Sequence, residues 1–289
     1  MTFFALLIVF VIVQLSGSGR LLQYDGWLVQ VFNWVQRYID DALVRLLVLL
    51  LAPTLAVLIL AVLFDEILLG LLSLVLYVGI LLYSLGRGDF SVAINDYLIS
   101  WRSGNDESAY QRAMSIGDFK TYSEVSDRQS LHDYVRQAMI YEGYQRWFAV
   151  VFWFFVLGPA GALLYRLSYL FGRDGFFDQG AKERQLALKF SYYLDWLPAR
   201  LLALTFAITG EFEATFKRWT NCFNESQPIP ELLNCSASAA LHGDSGRVLD
   251  EGSMAAIEQG EREINAVQSL LFRSVIAWMI MAALLQLIF

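Results

Sequence analysis

The stretch LLVLLLAPTLAVLILAVLF (residues 46–64), closed by Asp65-Glu66 and followed by ILLGLLSLVLYVGILLYSL (residues 67–85), decides the fold. Each apolar run is nineteen residues long and carries no charge. An α-helix needs about 20 such residues to cross ~30 Å of hydrocarbon. Two runs of that length joined by two acids read as a tight transmembrane hairpin. Pro53 lies inside the first run, where a membrane helix tolerates it because neighbours satisfy the carbonyl it frees.

Composition carries the same reading to the whole chain. Its 289 residues are 57% hydrophobic, 15% aromatic and 17% charged, with a mean hydropathy of +0.48. Soluble domains average about 45–50% apolar and roughly 25% charged. The excess collects in blocks, as a bilayer requires. A net charge of −7 without a basic stripe argues against nucleic acid, and no polybasic cluster points to anionic lipid. Cys222 and Cys235 fit a small disulfide loop in an exported segment, or two free thiols in the cytoplasm. With His132 and His242 distant in sequence, they build no ordinary zinc site, and no metal or other cofactor is implied. No basic region precedes the first apolar stretch, so a cleaved signal peptide is not expected.

Outward from the hairpin, residues 3–15 are apolar but short for a span, so they tilt, re-enter or lie buried. Tyr24, Trp27, Leu28, Val31, Trp34, Val35 and Tyr38 form one helical stripe. It suits an interfacial amphipathic helix with aromatic anchors, or a helix packed on other spans. Residues 1–85 thus make an N-terminal membrane region. Residues 86–146 form a polar helical segment with seven basic residues, in which Asn105 or Asp106 is placed to cap a helix through Tyr110 and Arg112. Residues 147–209 hold broken membrane helices, 210–269 a second polar segment, and 270–289 a final span with Arg273 near its end. The fold class expected is all-α: a polytopic helical membrane protein with broken or re-entrant helices and two helical polar segments.

Orientation follows from Lys and Arg. The Asp65-Glu66 turn has neither and belongs outside, which puts 86–146 inside. If 147–165 crosses fully, the basic segment 166–189 lands outside, against the rule. If Gly158-Pro159-Ala160-Gly161 makes it a re-entrant hairpin, residues 86–268 are all cytoplasmic, and charge favours this second topology.

The stretch most informative about chemistry is Tyr193-Leu-Asp-Trp-Leu-Pro-Ala-Arg-Leu201. Asp195 and Arg200 sit in an apolar context, where an ionisable group is costly and either paired or functional. Pro198 opposes the Leu194 carbonyl and predicts a stop to any helix running through it. The group is either a polar pocket or a structural ion pair holding a broken helix to its neighbours.

Leu194-Asp-Trp-Leu-Pro-Ala-Arg-Leu201, with the apolar run to Gly210, resembles AmpE, an inner-membrane protein encoded beside the cytoplasmic amidase that recycles cell-wall muropeptides. AmpE is itself a divergent relative of the CobD/CbiB membrane enzymes of cobalamin synthesis. Phe152 to Arg166 with its Gly-Pro break, and Gly104-Asn-Asp-Glu-Ser-Ala109 before Arg112, match in the same order. The resemblance implies a sensor or accessory protein of peptidoglycan recycling and β-lactamase induction, without catalytic residues. It leaves as alternatives a membrane enzyme with altered chemistry on the cobalamin-synthase scaffold, and a small transporter. Its candidate polar pocket comprises Asp195, Arg200, Arg166, Glu142 and Arg146. Partners are the bilayer and, left open, a small ligand, another membrane protein or a second copy of the chain.

Departures from the cobalamin enzymes bear on mechanism. Their Gly-Asp-Pro stands here against Ser16-Gly-Ser-Gly19, and their Glu-Asn-Thr stretch against Tyr141-Glu-Gly-Tyr-Gln-Arg146. After Arg166 comes Leu-Ser-Tyr-Leu-Phe-Gly172, with no acid or amide until Asp174. An ATP-dependent ligase must neutralise phosphate, hold Mg²⁺ and orient an amine, and no Walker-type loop replaces the missing groups. The cobalamin reaction is therefore not expected. Ser126, His132 and Asp133 can be drawn as hydrolase parts, but no nucleophile elbow accompanies them. The aromatic run Trp147 to Phe155 is dense enough for an aromatic pocket, but an interface belt with lipid-facing packing explains it more simply.

Overall fold

The computed structural model describes residues 2–16, 25–65, 70–85, 90–117, 127–173, 181–223, 228–242 and 254–288. Among these residues every regular element is helical. In chain order they are α1 (Thr2–Ser16), α2 (Gly26–Val35), α3 (Ala42–Asp65), α4 (Leu71–Ser84), α5 (Phe90–Arg102), α6 (Asp106–Met114) and α7 (Arg128–Gly143). A π-helical turn (Tyr144–Phe148) then leads to α8 (Ala149–Gly172), α9 (Ala181–Thr209), α10 (Phe212–Phe223), α11 (Ile229–His242) and α12 (Met254–Ile288). Among the described residues, three helical stretches are long and apolar enough, by length and composition, to cross a membrane: Ala42–Phe64, Arg128–Gly172 and Ile257–Leu287. Glu66 of the acidic turn, Gly17 to Gly19, Ser126, Asp174 and the side chain of Cys222 lie outside the described residues.

The helices gather into two compact units, each drawn from two separate stretches of chain. The first takes Met1–Gly88 and Arg146–Pro198, the second Asp89–Gln145 and Ala199–Phe289. In the first, α3 begins on Asp41, whose Oδ1 accepts the Leu43 and Val44 amides at 2.8 and 3.0 Å. That satisfies donors a helix start leaves orphaned. Past Pro53 the helix continues, with the Thr54 hydroxyl donating to the Leu50 carbonyl at 2.6 Å. Leu46, Leu49, Leu50 and Val57 face inward at helical spacing, against Ala160, Leu163, Leu167 and Leu170 of α8. The outer side of α3 exposes Leu47, Leu51, Leu55 and Ile59, an apolar face of the kind that meets a membrane or another protein. The short α1 buries Ala5, Leu6 and Val9 and packs on α4 and α8.

The amphipathic stripe divides. Leu28, Phe32 and Val35 of α2 turn into this core, while Trp34 and Tyr38 remain exposed as a ring pair 5.1 Å apart. The helix therefore packs on its neighbours and keeps one outward aromatic pair. Part of the aromatic run is core as well, since Phe148 and Phe154 are buried.

α8 is helical on both sides of one non-helical residue, Gly158 (φ 67°, ψ −156°). A side chain would be strained there, whereas glycine is not. Pro159 then suits the first position of a second arm, where its missing N–H costs no bond. The arms lie so close that a Cβ on Gly161 would fall 2.3 Å from the Trp153 carbonyl oxygen. Eight residues apart in one straight helix, these atoms would be about 12 Å apart along the axis. The chain has folded back, and α8 is a helical hairpin of the kind a re-entrant segment needs.

In the second unit the capping expectation holds at Asn105, whose side chain accepts the Ser108 amide at 3.0 Å. α7 opens on a reciprocal capping box: Asp127 Oδ1 accepts the Ser130 amide at 2.6 Å, and the Ser130 hydroxyl accepts the Asp127 amide at 3.0 Å. The polar helix near Glu258 and the final span join into the single helix α12. It is tied to the end of α9 by the Trp278 indole N–H donating to Thr205 Oγ1 at 2.9 Å.

Candidate functional site

α9 does not stop at Pro198; it runs from Ala181 to Thr209 with the proline inside. The sequence expectation of a break is corrected by a partner it could not name. Proline displaces the carbonyl four residues before it, here that of Leu194. The Trp153 indole N–H, from the first arm of the α8 hairpin, donates to that oxygen at 3.2 Å. The next residue is held by the other arm: the Tyr165 hydroxyl donates to Asp195 Oδ1 at 2.8 Å. Asp195 and Tyr165 are each only 2% exposed. Both arms thus grip consecutive residues of the turn that precedes Pro198, and the fold of α8 brings the two donors to one place. Interhelical hydrogen bonds in membranes contribute about 0.6 kcal/mol on average, and up to roughly 1.7. The pair is a moderate clasp whose geometry matters more than its energy.

Arg166 follows Tyr165 on the second arm. It is buried, with its guanidinium carbon 5.3 Å from the Tyr169 ring centroid, within cation–π range. Arg146 lies half-buried in the π-helical turn. These two and Asp195 belong to the first unit, whereas Glu142 and Arg200, both buried, belong to the second. There Arg200 lends its carbonyl to the Trp219 indole N–H at 3.1 Å. None of the five is without an interaction.

Of the residues drawn as hydrolase parts, the two described ones, His132 and Asp133, turn to separate partners. Asp133 pairs with Arg136 one turn on at 3.1 Å, while His132 Nε2 meets Glu263 Oε2 at 3.2 Å, with both side chains buried. The Trp101 ring lies over His132 at 5.0 Å between centroids, and Arg128 covers Trp101 at 4.3 Å. His132 and Glu263 are 131 positions apart, so nothing local in the sequence announces the pair. The same holds in the first unit for Arg45 and Glu183, joined at 2.8 Å. Among the described residues no group of three or more His, Cys, Asp or Glu side chains converges as a metal centre would.

A family model described as "Regulatory signalling modulator protein AmpE" matches residues 1–229. The chain is 30% identical over 189 residues to a cobalamin biosynthesis protein CobD of Stutzerimonas stutzeri, covering 64% of this chain and 58% of that protein. A CobD of Chromobacterium violaceum is 36% identical over 88 residues, 29% of this chain and 27% of its own length. The matched region thus spans less than two thirds of either relative. No solved structure matches.

Proposed function

The chain belongs to the AmpE family, and from that premise we propose that it is a multi-pass inner-membrane sensor or accessory protein. Its process would be peptidoglycan recycling and β-lactamase induction, served without catalysis of its own. The family description supports a membrane signalling role. The observation that carries the non-catalytic part is how the Pro-Ala-Arg segment employs its polar groups. The Leu194 carbonyl takes Trp153 and the Asp195 carboxylate takes Tyr165, one from each arm of the hairpin. A polar centre held in this way joins helices. A signal would then be a shift in how α8 grips α9, biased by a small ligand, a membrane-protein partner or a second copy of the chain.

The test is a β-lactam-inducible reporter in a bacterial strain lacking the gene, complemented with the wild type, Tyr165→Phe or Asp195→Ala. Induction should fall in proportion to the amount of folded protein in the membrane. An Asp195→Ala chain at normal abundance and stability, with induction abolished, would mean that the carboxylate acts on a ligand.

The similarity to cobalamin biosynthesis proteins favours one second reading, a membrane enzyme of altered chemistry drawing on Glu142, Arg146, Arg166, Asp195 and Arg200. Growth of a cobalamin-synthase-deficient strain on this chain would establish the ligase reaction itself and sink the non-catalytic reading.

A further inference from the structure

Within the first unit, the start of α3 and the first two turns of α9 enclose an open cavity of about 740 Å³. Binding pockets for small molecules run from about 300 to 1,000 Å³, so the space suits an organic ligand. Its inner wall is the Arg45–Glu183 ion pair, with Phe32 and Leu186 beside it. Those two charges neutralise each other at 2.8 Å, and Arg45 also donates to the Asp40 carbonyl at 3.2 Å. Asp41 is committed to capping α3.

Three lining charges remain. Lys182, Lys189 and the Asp40 carboxylate are exposed and form no ion pair among the described residues. Lys182 and Lys189 are seven residues apart on one helix, hence on the same face and about 10 Å apart along it. Two ammonium groups and one carboxylate around a single cavity complement a ligand with a phosphodiester and an amine. The position adds a second constraint. The apolar run Ala42–Phe64 begins at the cavity, and the exposed side chains Leu43, Leu47 and Leu51 lead away from it, one turn apart. A headgroup seated in the cavity would have its acyl chains on that ridge.

We propose that this cavity is the headgroup site of a zwitterionic phospholipid, with the phosphodiester held by Lys182 and Lys189 and the ammonium by Asp40. The site stands independently of the signalling reading. Asp41 keeps its charge while it caps α3, so the whole lining carries three cations and three carboxylates, a balance that disfavours a purely anionic headgroup and leaves Asp40 to an ammonium.

The full-length chain in nanodiscs of mixed phosphatidylethanolamine and phosphatidylglycerol, released into mild detergent for native mass spectrometry, tests this. One phosphatidylethanolamine per chain should be retained in preference to phosphatidylglycerol. The double substitution Lys182→Gln and Lys189→Gln should lower retention about tenfold or more. Lys182→Arg with Lys189→Arg should preserve it, which separates charge from folding. Asp40→Asn should abolish the preference while phosphatidylglycerol still binds. Unchanged retention in the double Gln variant overturns the site, as does a preference for phosphatidylglycerol that Asp40→Asn leaves alone. Displacement by an equal concentration of water-soluble glycerophosphoethanolamine overturns the lipid as the source of the headgroup.

Discussion

Substituting Gly161 by alanine adds one methyl group where the two arms of α8 touch. That Cβ would lie 2.3 Å from the Trp153 carbonyl oxygen and 2.6 Å from Leu157 Cβ. Ordinary contact starts at 3.4 Å, so the arms must part by 3.4 − 2.3 = 1.1 Å. The nearest obstacle is backbone, so no side-chain rotation relieves the clash. Overpacking of this kind costs about 1–3 kcal/mol. Parting the arms also strains the Trp153–Leu194 bond, now at 3.2 Å, which adds up to roughly 1.7 kcal/mol. The expected loss is therefore about 1–5 kcal/mol, a large share of a typical total of roughly 5–15. Denaturant titration in mixed micelles, followed by tryptophan fluorescence, measures it. Gly79→Ala is the control: the same methyl on α4 meets nothing within 4 Å and should stabilise its helix by about 0.5–1 kcal/mol. A Gly161→Ala chain as stable as the wild type would refute the folded-back hairpin.

The Tyr165–Asp195 contact should appear in a double-mutant cycle of Tyr165→Phe and Asp195→Ala as a coupling of about 1 kcal/mol, and strict additivity would remove the contact from the clasp. Single cysteines placed in 86–146 and in 166–189 should both resist an impermeant thiol reagent in intact cells, with Cys222 and Cys235 reduced; labelling of 166–189 alone would mean that α8 crosses the membrane. The Ser130 amide and hydroxyl hold the Asp127 carboxyl below its ordinary value of 3.8. A lowered folded value stabilises above the unfolded value and is lost as pH falls through the folded one. The melting temperature advantage of the wild type over Asp127→Ala should thus be complete from pH 5 to 7 and shrink below about pH 4; an advantage constant down to pH 2 would refute the ionic cap.

What the sequence made legible is what depends on neighbours along the chain. The uncharged run at 46–64, the Asn105 cap and the Gly158-Pro159 break each write a local requirement in local residues. The clasp on Pro198 was half legible, because proline dictates that the Leu194 carbonyl needs a donor. Only the fold names Trp153, 41 positions earlier. His132 looked like a fragment of a catalytic triad because Ser126 and Asp133 stand near it in sequence. On a helix, however, residues one apart diverge in direction, and its partner Glu263 comes from α12. Long-range ion pairs leave no periodicity to detect, so Arg45–Glu183 and the cavity beside it were invisible.

That same ion pair bears on sidedness. Arg45 stands at the start of α3, and the apolar run after it ends at Phe64. If that run crosses the bilayer, Glu183 at 2.8 Å from Arg45 lies at the end opposite the Asp65-Glu66 turn. If α4 carries the chain back and α5 to α7 stay on that side, α8 is the remaining helix that can change sides before α9. One complete crossing by α8 would deliver Glu183 to the wrong side. A hairpin that enters and leaves by the same face delivers it correctly, and the Gly158 backbone and the contact at Gly161 have the geometry for it. The positive-inside bias of the sequence favours the same arrangement by separate physics, since it keeps the basic segment 166–189 off the outer side. The contact within α8, the Arg45–Glu183 ion pair and the charge bias each fit the re-entrant arrangement, which the thiol-labelling experiment tests.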